Sequence, residues 1–403
     1  MTKEELKERV VKAIEENKNI IIETGRKIYA NPEFGYKEFE TTKTVREFFK
    51  NELGIETEDK IAYTGCRARI NEDKQGPKIA VLGELDGISC SEHCDANAIG
   101  ASHTCGHNVQ IAGMLGAATG LIKSGVYKEL DGKIDFMATP AEEFIELAYR
   151  SELKKQGQIK FFGGKQELIR RGAFDDVNMA LMFHVLDTGD KKVLTGPVSN
   201  GFIGKEVKFI GKEAHAGSAP YEGINALNAA MLAINNVHAQ RETFKEADRV
   251  RFHPIITKGG DIVNVVPADV RMESYVRART ILRHDSMEKV LRENLNYIGL
   301  TDEDIIEGGD FTGSFDFGDV SHLIPTLHPM FGGVKGALHT REYHIADEEY
   351  AYLAPAKAMA LTIVDLLFDN AEKAKEILKD FKPAMTKEEY LAFMESNDKT
   401  IKA

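Results

Sequence analysis

Short apolar runs that end in acidic residues or histidine alternate with segments of helical periodicity in the first half of the chain. The runs are KIAVLGELDG (78–87), KIDFMATPAEE (133–143) and VNMALMFHVLD (177–187). Between the first two, NVQIAGMLGAATGLIKSG (108–125) repeats apolar residues at helical spacing and has small residues that allow close packing on a sheet. Strands that alternate with helices predict an α/β domain with a mostly parallel sheet and flanking helices.

The pattern changes between about residues 199 and 310. GFIGKEVKFIG and ADVRMESYVRART alternate like half-exposed antiparallel strands, while GINALNAAMLAINNVHAQ and SMEKVLRENLNYIG have helical spacing. This order predicts a small inserted α+β domain with a ferredoxin-like layout. After it, IPTLHPMFGG and ADEEYAYLAPAKAMALTIVDLL return to the first pattern. We therefore predict a catalytic domain at 1–198 and 311–403, interrupted by a second domain at 199–310.

Composition and charge exclude some classes of function. The balance of 42% hydrophobic and 29% charged residues is that of a soluble globular protein. The net charge of −12 argues against nucleic-acid binding, which needs clustered Lys and Arg. No apolar run approaches the roughly 20 residues of a membrane span. The charged start, MTKEELKERVVKAIEENKN, predicts an amphipathic helix rather than a signal peptide, so we expect a cytoplasmic protein with reduced cysteines.

Residues able to bind a metal follow the predicted strands. Asp86, the pair Glu142 and Glu143, and His184 come at or near the ends of the three apolar runs. Ligands of open α/β sheets bind beyond the carboxyl ends of the strands. These side chains are therefore expected to converge on one rim of the sheet.

The stretch SHTCGHN (102–108) adds a thiol and imidazoles just before the predicted helix. Cys105 and His107 are two residues apart, so they can reach one centre only from a turn, which Gly106 makes easy. Each candidate also has an unremarkable interpretation: a buried structural cysteine, a solvated glutamate pair, a packed His184 and a loop His339. Together a thiolate, imidazoles and carboxylates form a set suited to Zn²⁺ or a similar ion.

Two other interpretations of the cysteines stay open at this point. A closed structural zinc site could use Cys90, His93, Cys94 and Cys105, although no second paired motif follows at zinc-finger spacing. Cys105 could instead be a nucleophile with His103 or His107 as its base. A third interpretation, from another class, is a non-catalytic scaffold that binds metal without turnover.

The motifs, taken in order, resemble one family. NPEFGYKEFETT, GELDGI, HTCGHN, PAEE, FHV, GKEAHAGSAP, NVVPADV, YVRA, GSFDFGDVS and LHTREYHI are similar to the aminoacylase/carboxypeptidase metallohydrolases, which include hippurate hydrolase, auxin-conjugate amidohydrolases and aminobenzoyl-glutamate hydrolase. The resemblance extends from about residue 26 to residue 365, and the CGHN form is most similar to the aminobenzoyl-glutamate hydrolase side.

The resemblance implies a role for individual residues. Glu142 corresponds to the general base, and Asp86 to an aspartate that orients a ligand. In the inserted domain, His215 corresponds to a histidine that reaches the partner subunit's active site, and Asn264 and Arg277 to substrate-binding positions. The metal ligands implied by the resemblance are Cys105, His107, Glu143, His184 and His339.

The resemblance also implies an activity. It is metal-dependent hydrolysis of an amide bond in an N-acyl amino acid or a peptide-like conjugate, with a dipeptidase or carboxypeptidase as the alternative. Two divalent ions per chain are expected, Zn²⁺ or Mn²⁺, with Co²⁺ or Ni²⁺ as further candidates. The inserted domain would form a homodimer.

The sequence departs from the family pattern near the expected pocket. Relatives have a glycine-rich stretch almost directly after the paired glutamates, whereas FIELAYRSELKKQGQIKFF (144–162) comes first here. The loop SCSEHCDANAIGAS (89–102) is also unusual, and Gly87-Ile88 replaces a common proline motif. These departures bear on substrate identity more than on the metal site.

Overall fold

The computed structural model describes residues 1–279 and 283–402, which form two compact units. The first unit comprises residues 1–198, 283–310 and 316–402. The second comprises residues 199–279 and 311–315. An α/β domain interrupted by a smaller α+β domain is the fold class predicted from the sequence, and it is confirmed.

A six-stranded mixed sheet is the centre of the first unit. Its middle strand, Lys78–Glu84, is buried throughout and runs parallel to both Lys133–Thr139 and Met179–Leu181. Burial on both faces explains why these strands are continuous apolar runs in the sequence. The order across the sheet is Thr57–Ile61, Gly65–Ile70, Lys133–Thr139, Lys78–Glu84, Met179–Leu181 and Thr326–Leu327.

Smaller sheets complete the first unit. One four-stranded sheet has the order Ile305–Glu307, Val193–Thr195, Met330–Phe331 and His184–Val185. Two short pairs join Ile88–Ser89 to Ala101–Ser102 and Val334–Lys335 to His344–Ile345. The first pair closes the loop that carries Cys90, and the second pair closes the loop that carries His339.

Helices cover the main sheet, and two of them are almost entirely buried. Helix His107–Lys123 packs closely because its small residues leave room: a side chain at Gly113 would collide with the Phe183 ring, and one at Gly116 with Ala356. The α-helices of this unit are Lys3–Glu16, Lys18–Tyr29, Phe39–Leu53, His107–Lys123, Leu147–Lys155, Gly164–Arg170, Asp285–Tyr297, Phe317–Ser321, Glu348–Leu367, Glu372–Asp380 and Lys387–Asn397.

Helix Glu348–Leu367 is long and apolar enough to cross a membrane, by length and composition alone. No membrane span was predicted here from the sequence because Lys357 and Asp365 interrupt the apolar run. In the structure nearly all of this helix is buried in the hydrophobic core of the first unit. A buried core helix passes the same test, so its composition is explained by packing.

In the part of the chain that the structure describes, the second unit has a four-stranded sheet and one α-helix, Ala226–Ala239. The pairs that join Asp269–Arg279 to each of its two neighbours are antiparallel. The strand order is Arg251–Lys258, Asp269–Arg279, Val198–Ile210 and Asp310–Ser314. The strand Arg251–Lys258 therefore lies at an edge of the sheet.

One segment belongs to a different unit from the one predicted. Residues 283–310, predicted from the sequence to be part of the inserted domain, lie in the first unit. Helix Asp285–Tyr297 buries Met287 and Leu291 in that unit's core. Its Asn294 shares the buried Asp365 carboxylate with Lys7. An amphipathic pattern shows that a helix needs an apolar partner, but it does not show which one.

Candidate metal centre

The carboxyl ends of the central strands meet at one rim, as predicted. Glu84 ends strand Lys78–Glu84, and Asp86 follows two residues later. Glu142 and Glu143 follow strand Lys133–Thr139, and His184 comes three residues after Met179–Leu181. Since these strands are parallel neighbours, their ends bring the side chains together.

The turn Cys105-Gly106-His107 adds a thiol and an imidazole to this rim. Gly106 has a φ of 81°, in the left-handed region, and begins the buried helix. A side chain at Gly106 would also overlap Val185, so glycine satisfies both the backbone and the space. His107 Nδ1 lies 2.8 Å from the Asp86 carbonyl oxygen, which only accepts. Nδ1 therefore carries a hydrogen, and Nε2 faces the cluster.

Two groups of three potential ligands share the thiol of Cys105. His339 Nε2 lies 3.1 Å from Cys105 Sγ and 2.9 Å from Glu143 Oε1. Cys105 Sγ lies 3.4 Å from His184 Nε2, with His107 completing the second group. Within each group the ligand atoms are within 4.8 Å of one another. This spacing suits ligands that each bind an ion at about 2.0–2.3 Å.

Buried polar atoms without hydrogen bonds support a metal at this place. Among the described residues, His107 Nε2 and Glu143 Oε1 are buried and lie beside a charged group, Glu84 and His339 respectively, without a hydrogen bond of good geometry. Asp86 Oδ1 is also buried without a hydrogen bond in the described structure, whereas Asp86 Oδ2 accepts from the Glu143 N–H at 2.9 Å. Buried polar atoms are almost always paired, and a soft thiolate with imidazoles and a carboxylate is a typical zinc donor set. The residues present therefore fit a divalent metal ion.

The two neighbouring glutamates have opposite pKa shifts. Burial raises the pKa of Glu142 well above its usual value, and the carboxylates of Glu84 and Glu143 raise it further. Burial also opposes ionisation of Glu143, but the adjacent His339 overcomes it and lowers the pKa to about 2. Carboxylates whose pKa values are driven apart are suited to different roles, one binding a cation and one exchanging a proton.

The thiol of Cys105 is prepared to ionise. Burial raises its pKa, but His107 and His339 outweigh this effect and bring the pKa down to about 6. Conversely, burial lowers the pKa of His339, while Glu143 and Cys105 raise it to about 12. The thiolate is thus the stable form of Cys105 at neutral pH, as a metal ligand requires.

We expect the metal-free protein to show a thiolate absorbance step near pH 6. The thiolate of Cys105 forms as the pH rises through its pKa of about 6, whereas burial raises the pKa of Cys66 to about 12. Ultraviolet titration of the metal-free protein measures this step, and Cys105→Ser should remove it. A step near pH 6 that persists in Cys105→Ser would contradict the assignment.

Glu84 belongs to this cluster and was missed in the sequence analysis. Its Oε2 atom lies 3.1 Å from His107 Nε2, and its other oxygen pairs with the buried Lys165 ammonium at 2.5 Å. Lys165 also pairs with Asp316, and Gln110 donates to Glu84 Oε2 at 2.6 Å. The signal that could have identified Glu84 was its position at the strand end in GELDG, two residues before Asp86.

The remaining predicted residues lie in the second unit. His215 is exposed, and its Nδ1 accepts the N–H groups of Gly217 and Ser218, both at 3.1 Å. A neutral His215 therefore carries its hydrogen on Nε2. The Ala216 N–H donates to the carbonyl of Asn264 at 2.9 Å, so these two segments are adjacent. Arg277 donates to Ser314 Oγ at 3.1 Å.

The other interpretations of the cysteines find less support in the geometry. His93 has both ring nitrogens engaged, one with the Tyr343 carbonyl at 2.8 Å and the other with the Asp95 N–H at 3.1 Å. In the described part of the chain, the candidate ligand group at His93 contains Cys94 but not Cys105. His103 is buried, and its ring nitrogens make no hydrogen bond among the described residues, so it does not orient Cys105 as a base would.

Comparison with known proteins places the chain among hydrolases of the amidohydrolase and peptidase class. Residues 199–303 match the model of the peptidase dimerisation domain. The chain is 28% identical to the human Xaa-Arg dipeptidase, over 97% of this chain and 95% of the relative. It is 25% identical to the N-acyl-L-amino acid amidohydrolase of Geobacillus stearothermophilus, over 79% and 80%. These relatives confirm the resemblance to the aminoacylase/carboxypeptidase metallohydrolases.

Solved structures show the same fold. An aminobenzoyl-glutamate utilization protein from Klebsiella pneumoniae has a TM-score of 0.64 at 17% identity, covering 88% of this chain and 97% of the other. A Bacillus subtilis protein described as a dinuclear metal-binding peptidase of the M20 family has a TM-score of 0.61 at 20% identity, covering 87% and 98%.

Proposed function

We propose that the protein hydrolyses the amide bond of an N-acyl amino acid or related conjugate, releasing a free amino acid and a carboxylic acid. The observation that carries this proposal is the pair of ligand groups sharing Cys105, with the Glu142 carboxyl beside them. Two ions held by groups that share one residue would lie close together, as in two-metal hydrolases, and Glu142 would be free to act as a base beside them.

Two divalent ions, Zn²⁺ or Mn²⁺, would be held by the two groups. Cys105, His107 and His184 would hold one, and Cys105, Glu143 and His339 the other. Such ions polarise a carbonyl oxygen and supply an activated water near neutral pH. The Cys105 thiolate and the Glu143 carboxylate neutralise only half of the four positive charges, so the site would favour an anionic substrate.

Glu142 is proposed to move the proton. Its Oε2 atom lies 3.9 Å from His107 Nε2, so it is next to the ligands without being required by either group that contains Cys105. Its raised pKa lets the carboxylate take a proton from the attacking water and return it to the departing amine. Glu143, with its lowered pKa, stays ionised.

The second unit is proposed to complete the site across a homodimer. Its exposed apolar residues include Met231 and Leu232 on the helix and Ile255 and Ile256 on the edge strand. Exposed apolar residues on an unpaired edge strand are typical of an interaction surface. In the homodimer the Nε2–H of His215 would donate to the oxyanion that develops in the partner subunit's site. Asn264 and Arg277 would bind the substrate, and Arg277 would pair with the substrate carboxylate.

A dipeptidase is the second candidate. The human relative named Xaa-Arg dipeptidase matches this chain over almost its whole length. Both candidates cleave an amide next to a free carboxylate, so the same site serves either. A screen of metal-loaded protein against N-acyl amino acids, aryl-amide conjugates and dipeptides, with released amine as the readout, ranks them. Metal occupancy with no turnover on any of these classes would favour a non-catalytic scaffold.

We expect close to two divalent ions per chain after reconstitution with Zn²⁺ or Mn²⁺. Elemental analysis of the desalted protein measures this, and Cys105→Ser should lower the content because Cys105 is shared by both groups. Removing the ions with a chelator should abolish turnover, and adding them back should restore it. A content near zero after reconstitution, or turnover that a chelator leaves intact but iodoacetamide abolishes, would overturn the two-ion proposal.

A further inference from the structure

The paired glutamates lie in an unusual stretch of backbone. Ala141, directly before them, has a φ of 54°, and Glu146, three residues after them, has a φ of 53°. Residues other than glycine seldom adopt this left-handed conformation, and it persists where the surroundings hold it in place. The direction in which Glu142 and Glu143 point therefore depends on what holds residues 141–146.

Buried groups bind this backbone from several sides. The Ala141 N–H donates to the buried Glu38 carboxylate at 2.8 Å, and the Gly164 N–H donates to the Ala141 carbonyl at 3.2 Å. The Glu143 N–H donates to Asp86 Oδ2 at 2.9 Å. The Glu143 carbonyl oxygen accepts the Ile145 N–H at 2.9 Å, and its second lone pair can accept a further donor.

The second donor is Arg150, which comes from the segment 144–162 that follows the paired glutamates. Arg150 lies on helix Leu147–Lys155 and has no exposed surface. Its Nη2 donates to the Glu143 carbonyl oxygen, and its Nη1 donates to the Phe162 carbonyl oxygen at 2.7 Å. Glu143 directly precedes segment 144–162, and Phe162 is the last residue of that segment.

The surroundings of Arg150 are built to hold a guanidinium. Its central carbon lies 5.4 Å from the centre of the Tyr36 ring and 5.6 Å from that of Phe144, the distances of cation–π contacts. A side chain at Gly35 would collide with Nη2, so glycine makes room there. In the described structure the hydrogen bonds of Arg150 go to main-chain carbonyls rather than to carboxylates. Burying a cation without a carboxylate partner is costly, and the Nε of Arg150 is buried without a hydrogen bond among the described residues.

We propose that Arg150 is a positioning residue for the paired glutamates. Its guanidinium group joins the Glu143 carbonyl to the Phe162 carbonyl and so links the two ends of segment 144–162. This link sets the direction of the Glu142 and Glu143 side chains. The consequence for catalysis rests on the proposed function, because it requires those side chains to act as base and ligand. The effect of Arg150 on the order of the backbone at 141–146 is independent of the proposed function.

Substitution of Arg150 tests the proposal. Arg150→Met removes the charge and the donors, and Arg150→Lys keeps the charge but cannot span both carbonyls. Arg67→Lys is the control for altering a buried guanidinium elsewhere. Arg67 lies on strand Gly65–Ile70, donates to the Ala173 carbonyl at 3.2 Å, and also pairs with the Glu58 and Asp135 carboxylates. Hydrogen–deuterium exchange of residues 141–146 is measured in metal-free protein, and kcat, KM and ion content in loaded protein.

Both Arg150 variants should exchange residues 141–146 about tenfold faster than the wild type, with Arg67→Lys unchanged there. In loaded protein, kcat should fall about 10- to 100-fold, with KM within about twofold, because the base is misplaced. Unchanged exchange in both variants overturns the proposal, as does global unfolding of both while Arg67→Lys stays folded. Faster exchange in a protein that turns over no amide would support Arg150 and sink the proposed function.

Discussion

Glu142→Gln is expected to lower turnover by about 10²–10⁴-fold while the protein keeps its metal ions. Glutamine preserves the size of the side chain and its hydrogen bonding, but it cannot act as a general base and then as a general acid. Ion binding should survive because the two groups that share Cys105 do not contain Glu142. The fall should appear in kcat, since the lost interaction belongs to the transition state.

Glu143→Gln is the matched control for this experiment. It changes the neighbouring residue in the same way, but it removes a proposed ligand, 2.9 Å from His339 Nε2. We expect weaker ion affinity in Glu143→Gln and normal ion content in Glu142→Gln, measured by chelator competition. Near-normal kcat in Glu142→Gln, or equal ion loss in both variants, would show that the two roles are wrongly assigned.

Mixing two inactive variants is expected to restore activity. His215→Ala should lose about 10²–10³ in turnover because one oxyanion donor is removed, with ion content intact. In a hybrid dimer with a Glu142→Gln subunit, one site would combine the unchanged Glu142 of one chain with the unchanged His215 of the other. A statistical mixture should recover up to about a quarter of wild-type turnover, because half of the dimers are hybrids and each has one complete site.

The controls for mixing are each variant exchanged with itself, which should stay inactive. Hybrid formation is followed by mass spectrometry of differently tagged subunits. Exchange that forms hybrids without any recovery would rule out a site shared between subunits. A protein that remains monomeric yet fully active would exclude the same mechanism before mixing.

The linear sequence determined much of this architecture. Continuous apolar runs predicted the buried strands because both faces of the central sheet are covered. Their polar ends predicted which residues share a rim, because parallel neighbours end at the same edge. The alternating pattern from residue 199 onward predicted the inserted α+β domain, and the order of short motifs predicted the family.

Only the tertiary structure decided how the site is built. Two adjacent glutamates look alike in the sequence. In the structure His339 lowers the pKa of Glu143, whereas burial and the neighbouring carboxylates raise the pKa of Glu142. Helix Asp285–Tyr297 needed an apolar partner, and the core of the first unit supplied it. Arg150 stands in a segment that carries several charges in the sequence, but its guanidinium is fully buried against the Glu143 backbone. Such effects depend on distances between residues far apart in the chain, which hydrophobic periodicity does not encode.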